Sequence, residues 1–356
     1  MKSIKFAYYP ILILLTVFFL DKLILLPPIQ KCCVSSGLAV FYQNNFDNVI
    51  EDKIKKAKTE NKKIALNFGS SLSFGFYFNH HQRYLDSIPE CANNQKCFHA
   101  DWEIINIAIP GATMLSHYAN MNRILKLGIQ PDLILIELAP NSFNKNSPWH
   151  KSEVQEAMSL LFALEHIFEI PFEHFRSILF TRMFAFSRYK ITTNTKNENL
   201  VREYYKKFLY DYSKEKEAIL PESFQTGDRK KEISFSNQFL LSALRETFAI
   251  YSVDPNLKQY YYLIVKETGN LKIPLYFWYP ALHPSTKAIT EIVHSKPTWK
   301  KFLTEIEENQ INYINLNDLE NNKCDKFLDV IHMGIECFGN VFLLASKQNE
   351  RNFRKK

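Results

Sequence analysis

Apolar residues gather in five short runs, each closed by glycine, proline or asparagine. They are Ile64-Ala65-Leu66-Asn67-Phe68, Trp102 to Ile109, Leu133 to Leu138, Pro274 to Tyr279 and Ile311 to Leu316. Runs this short that stay apolar at successive positions predict strands buried on both faces, as in a parallel sheet covered by helices. Helical spacing fills the intervals. Thr113 to Leu127 places Met114, Leu115, Tyr118, Met121, Ile124 and Leu125 on one face, residues 31 to 60 place Val49, Ile50 and Ile54 together, and Trp299 to Glu308 and Cys337 to Ala345 predict two further helices. Strand and helix alternating in this way predict an α/β fold, a three-layer α/β/α sandwich around a parallel sheet of about five strands.

Two segments depart from that alternation. From about 150 to 262 the strand signal stops, and long amphipathic stretches, Glu153 to Phe168 and Phe235 to Val253, predict a helical insertion. The first thirty residues differ in kind. Residues 6 to 26 are almost wholly apolar, about 31 Å as a helix, which matches the hydrocarbon thickness of a bilayer. Pro27-Pro28 ends the run, and no small-residue cleavage site follows, so the segment reads as a retained transmembrane anchor rather than a signal peptide. Lys2 and Lys5 precede it. By the positive-inside rule, they place the amino terminus in the cytoplasm and the rest of the chain on the outer side of the cytoplasmic membrane. Asp21 and Lys22 interrupt the run near its outer end. The expected organisation is an anchor over 1–30 and one α/β body over 31–356.

Composition narrows the function classes. A formal charge of +7 is spread over lysine-rich helical stretches, and no aromatic-interleaved basic patch accompanies it, so no nucleic-acid partner is expected. The six cysteines fall as Cys32-Cys33, Cys91 with Cys97, and Cys324 with Cys337. In an exported chain these permit disulfides; Cys324 and Cys337 fit a bridge or two buried thiols equally. No cysteine and histidine spacing reads as a metal site, and no cofactor motif is present.

In an open parallel sheet, ligands bind outside the carboxyl ends of the strands. Reactive residue types recur at those exits: Ser71 after the first run, Gly111 after the second, Asn141 after the third, His283 after the fourth, and Asp329 with His332 after the fifth. A carboxylate three residues before a histidine can orient the imidazole, and a serine from another loop can lose its proton to it. Each piece also has a plain structural reading: Ser71 as a turn residue, His332 as a satisfied histidine, Asn141 as a helix cap, and His283 as part of a turn stiffened by Pro280 and Pro284.

Taken in order, these blocks resemble the SGNH, or GDSL-like, hydrolase superfamily. Gly69-Ser70-Ser71-Leu72-Ser73 is similar to its nucleophile turn, with Ser70 in the usual aspartate position. Asn106 to Thr113 is similar to the block whose glycine, here Gly111, lends an amide to the oxyanion. Pro131-Asp132 and Ala139-Pro140-Asn141-Ser142 bracket a strand as in the third block but lack its glycine and final aspartate, and Asp329-Val330-Ile331-His332 matches the last. The resemblance implies Ser71 as nucleophile, His332 as base, Asp329 as its orienter, and Ser71, Gly111 and Asn141 as oxyanion donors, with His283 a weaker substrate-binding candidate. Together with the anchor it is most similar to envelope proteins of the D-alanyl transfer and alginate acetylation kind. That implies an acyl esterase or acyltransferase acting on an acylated cell-envelope glycan or lipid beside an integral membrane acyltransferase. The alternative is a catalytically inactive accessory protein of envelope assembly that keeps the fold.

Overall fold

A computed structural model describes residues 2–26, 29, 34–35, 45–74, 101–109, 111–147, 153–154, 157–188, 190–191, 241–309, 311–318, 332–333, 337 and 339–346. Two compact units emerge: Met1–Gln43 with Lys151–Tyr210, and Asn44–His150 with Asp211–Lys356.

The second unit is built on five strands, β1 (Lys63–Phe68), β2 (Trp102–Asn106), β3 (Leu133–Glu137), β4 (Leu275–Tyr279) and β5 (Asn312–Asn315), all parallel, in the order β2-β1-β3-β4-β5. All five apolar runs are strands. The run expected to continue to Ile109 leaves the ladder at Asn106, yet its backbone stays paired with β1: Ile107 donates to Asn67 O (2.7 Å) and Ile109 to Gly69 O (2.9 Å). Every residue of β3 and β4 is buried, as strands covered on both faces must be. On one face, Ala65, Trp102, Leu135, Trp278 and Ile314 pack against Val341, Phe342 and Ala345 of the closing helix, with Trp102 meeting Phe342 edge-on at 5.3 Å. On the other, Phe277 meets Tyr261 at 5.0 Å, and Tyr261 meets Phe302 at 5.1 Å. Helices therefore cover both faces of the sheet.

Helix boundaries follow local chemistry. In this unit α2 (Asn45–Thr59) buries Ile50, Ile54 and Ala57. The helix expected over residues 31 to 60 is corrected near its start: Val34–Ser35 form a short strand antiparallel to Lys190–Ile191 in the first unit, while residues 31–33 and 36–44 lie outside the described residues. Helix α3 (Met114–Lys126) begins at Thr113, whose hydroxyl accepts from Leu115 N–H (3.3 Å). In the first unit α1 (Lys2–Lys22) is followed after the insertion point by α4 (Leu160–Glu165), α5 (Phe172–Met183) and α6 (Ala185–Arg188). The expected long helix from Glu153 to Phe168 is interrupted at Met158-Ser159, because Ser159 caps a new helix by accepting from Phe162 N–H (3.0 Å). Back in the second unit, α7 (Pro255–Asn270) starts at the Asp254 cap with Pro255 in its first turn, followed by α8 (Pro284–His294) and α9 (Pro297–Glu308).

Helix α1 exposes its apolar side chains, from Tyr8 at 66% to Leu20 at 57%. No helix among the described residues is long and apolar enough to cross a membrane. Asp21 and Lys22 have a specific task. The Asp21 carboxylate, buried, accepts from Ala185 N–H (2.6 Å) and Phe186 N–H (2.7 Å), and Lys22 donates to Met183 O (2.6 Å). These bonds fasten the end of α1 to the junction of α5 and α6.

Candidate active site

The strand order reverses direction at β1: the chain moves from β1 to β2 on one side, then returns to lay β3 on the other. Such a switch point opens a crevice between the two loops that leave the sheet in opposite senses, which is where ligands enter doubly wound sheets. Ser71 leaves β1 at that point.

The turn carrying Ser71 is held from beneath. Gly69 sits so close to the returning chain that an added Cβ would stand 2.1 Å from Ser73 Oγ and 2.7 Å from Glu137 Oε2. Only glycine fits there. The chain then makes one helical turn, Ser71–Phe74, that leaves Ser71 half-buried and sends Ser70 and Ser73 down to Glu137 at the end of β3. Glu137 Oε2 accepts from Ser70 N–H (3.0 Å), Ser73 N–H (3.1 Å) and Ser73 Oγ–H (2.5 Å), and Oε1 accepts from the Ser70 hydroxyl. Burial pushes the Glu137 carboxyl above the ordinary range, against the four hydrogen bonds, which pull it down.

A second buried chain of polar groups braces the same turn. Trp278 Nε1–H donates to Asn67 Oδ1 (3.2 Å), Asn67 Nδ2 to Asn106 Oδ1 (2.9 Å), and Asn106 Nδ2 to Ser73 O (2.9 Å). Three strands are thereby tied to one turn through groups that water does not reach. The run patterns contained the signal: Asn67, Asn106 and Glu137 are polar residues at the ends of strands that burial renders apolar, and a buried amide or carboxylate requires partners.

Gly111, Asn141, His283 and His332 follow the carboxyl ends of neighbouring strands. Gly111 adopts φ +75°, a left-handed conformation in which a side chain would be strained, in the turn closed by Ala112 N–H to Ile109 O (2.9 Å). Asn141 lies exposed in the single turn Pro140–Phe143 that ends β3. His332 is half-buried. Its neighbour Met333 is buried with Ala281 and Leu316, and Met333 Sδ accepts from Ala281 N–H (3.2 Å), which sets His332 beyond the carboxyl end of β4. Strands β1 and β4 are two steps apart, about 9 to 10 Å at ordinary strand spacing. Asp329 lies outside the described residues. His283 caps α8, with Nδ1 accepting from Ser285 N–H (3.1 Å), so one of its ring nitrogens is committed to structure. At the opposite, amino end of the strands, Asp132 accepts from Ile64 N–H (2.8 Å), away from the rim. Cys337 is disulfide-bonded rather than a buried thiol, and its partner lies outside the described residues.

A family model described as "Protein of unknown function (DUF1574)" matches residues 1–345. No curated protein matches. Among solved structures, the chain is similar to a protein described as lipolytic, of the G-D-S-L family, from Desulfitobacterium hafniense DCB-2. It has 10% identity over 80% of this chain and 99% of that one, with a TM-score of 0.35. It is also similar to the acetyl xylan esterase AlAXEase, with 11% identity over 81% of this chain and 98% of that one and a TM-score of 0.33.

Proposed function

The chain belongs to the DUF1574 family, and we propose that it is a membrane-anchored, serine-dependent acyl esterase or acyltransferase acting on an acylated envelope glycan or lipid. The observation that carries this reading is the position of Ser71 at the switch point, on a turn clamped by Glu137, with Gly111 leaving the neighbouring strand on one side and Asn141 on the other. A nucleophile needs such rigidity, because the reacting atoms must be held within a few tenths of an ångström of their productive geometry.

In the proposed reaction Ser71 Oγ attacks the ester carbonyl while His332 accepts its proton. The tetrahedral oxyanion is held by the Ser71 and Gly111 amides and the Asn141 side chain. His332 then returns the proton to the departing alkoxide, leaving an acyl-Ser71 ester. Water or a sugar hydroxyl attacks that ester, giving its proton to His332, and Ser71 is regenerated. Asp329 keeps His332 in the tautomer this requires. No metal or cofactor enters the reaction. In the transfer version, an integral membrane acyltransferase supplies the acyl donor.

The anchor is part of the proposal. The apolar run from residue 6 to 26 and the exposed apolar side chains of α1 support insertion, with the body on the outer side. The disulfide at Cys337 fits an oxidising compartment.

A serine-directed fluorophosphonate, applied to the full chain in membranes, tests the reaction. Wild type is expected to label, Ser71→Ala to lose labelling, and His332→Ala to label at least about 10³-fold more slowly. Failure of folded wild type to label would overturn the enzymatic reading in favour of an accessory role.

A further inference from the structure

The helices that follow the insertion point are inside out for a layer facing water. On α4 and the turn after it, Leu161, Leu164 and Phe168 recur at intervals of three and four and are exposed, whereas Phe162 and Ala163 are buried. On α5 the exposed face carries Phe172, Phe180 and Met183 with Arg176 among them, whereas polar His174 and Thr181 turn inward beside Ile178. Phe168 is 99% exposed and Phe172 73%. Scattered surface apolar residues are ordinary, but large apolar side chains recurring outward on successive helices, while His174 and Thr181 turn inward, mark a surface that meets something apolar.

The same helices are fixed to the end of α1. Asp21 accepts from the first amides of α6, Lys22 holds Met183 O, and the Phe18 ring meets Phe184 at 6.4 Å, next to Phe180 at 4.9 Å. The apolar surface of α1 thus runs on into aromatic rings at its outer end. An anchor that leaves the bilayer at Asp21 and Lys22 brings these rings to the level of the lipid headgroups. Aromatic side chains and a flanking arginine suit that depth.

We infer that α4, α5 and α6 form a monotopic platform lying in the outer lipid interface, so that the first unit meets the membrane twice, through α1 and through the Phe168–Phe172 face. This rests on the proposed anchor and deepens it. The platform would hold the chain against the surface where a lipid-borne or membrane-delivered acyl group is found, whereas a lone anchor would leave it tethered and swinging.

Tryptophan reporters in the full chain test it. Phe168→Trp and Phe172→Trp are made separately and reconstituted in phosphatidylcholine and phosphatidylglycerol vesicles with or without bromine on the upper acyl chain. Leu14→Trp reports on the anchor, and the unsubstituted chain gives the background emission of the native tryptophans. The inference expects the added emission at 168 and 172 to be blue-shifted and quenched at least twofold by brominated lipid. Blue-shifted emission without quenching would mean that protein, either another segment of the chain or a second copy, covers the face, and would overturn the inference. So would unshifted, unquenched emission at 168 and 172. Quenching at Leu14→Trp alone would leave the anchor standing without the platform, whereas quenching at 168 and 172 without Leu14→Trp would keep the platform and remove the spanning anchor.

Discussion

Replacing Glu137 by alanine removes the carboxylate that accepts from the amides of buried Ser70 and Ser73. Each buried amide left without a partner costs about 1–3 kcal/mol, and water entering the vacated space recovers part of that, so the loss is expected at about 2–4 kcal/mol. For a body of this size, 1 kcal/mol moves the melting temperature by about 2–4 °C, which puts Glu137→Ala at least about 4 °C below wild type in a detergent-solubilised thermal melt. Glu137→Gln keeps one oxygen for the two amides and presents an NH2 to the Ser70 hydroxyl, which can accept, so its cost stays near or below about 1 kcal/mol. The pair also differs in pH dependence. Burial raises the folded carboxyl above its unfolded value of 4.5, so as pH rises past 4.5 the unfolded chain gives up this proton first and wild type loses stability until the folded carboxyl ionises too. Glu137→Gln lacks that decline. Equal melting temperatures for the alanine and glutamine variants, or an alanine variant within about 1 kcal/mol of wild type, would refute the clamp.

Three further outcomes follow from the same core. His117, buried in the first turn of α3 with Nε2 meeting no hydrogen-bonding partner among the described residues, is driven down to a pKa of about 3 by burial. Its stabilising contribution is therefore full above the unfolded value of 6.5 and is lost as pH falls toward 3, at about 1.4 kcal/mol per pH unit; acid melts of His117→Leu should lack this slope. Gly69→Ala must displace Ser73 or Glu137 to house its Cβ and should cost about 1–3 kcal/mol, with a slower fluorophosphonate reaction at Ser71 than the melt alone explains. Asn67→Ala and Asn106→Ala each strand a buried neighbour. In a double-mutant cycle they should couple by about 0.5–3 kcal/mol, whereas strict additivity would show that the two amides act independently.

The sheet was legible because burial on both faces compels unbroken apolar runs, and turn residues bound each one. The sheet order was not, since nothing in β3 announces that it lies beside β1 rather than β2. The aromatic run Tyr260-Tyr261-Tyr262 lies on α7, where Tyr260 and Tyr261 are core residues against Tyr118 and Phe277. Ser71, Gly111 and Asn141 were legible as strand exits, because parallel strands bring their carboxyl ends to one rim. Glu137 was overlooked for the opposite reason: its meaning depends on a register, β3 beside β1, that brings a carboxylate under a serine turn from nearly seventy residues away. Asp21 and Lys22, which looked like flaws in an apolar segment, proved to be its attachment to α5 and α6.

The central claim is that Ser71 forms a covalent acyl ester. Brief exposure of the full chain to an activated acetyl ester, followed by acid quench and peptide mass analysis, tests it most directly. The account predicts one acetyl group per chain, on the peptide holding Ser71, accumulating further in Asp329→Asn, where return of the acyl group to water is slowed, and absent in Ser71→Ala. No acetylation of folded wild type, or acetylation that persists in Ser71→Ala at the same rate, would contradict it.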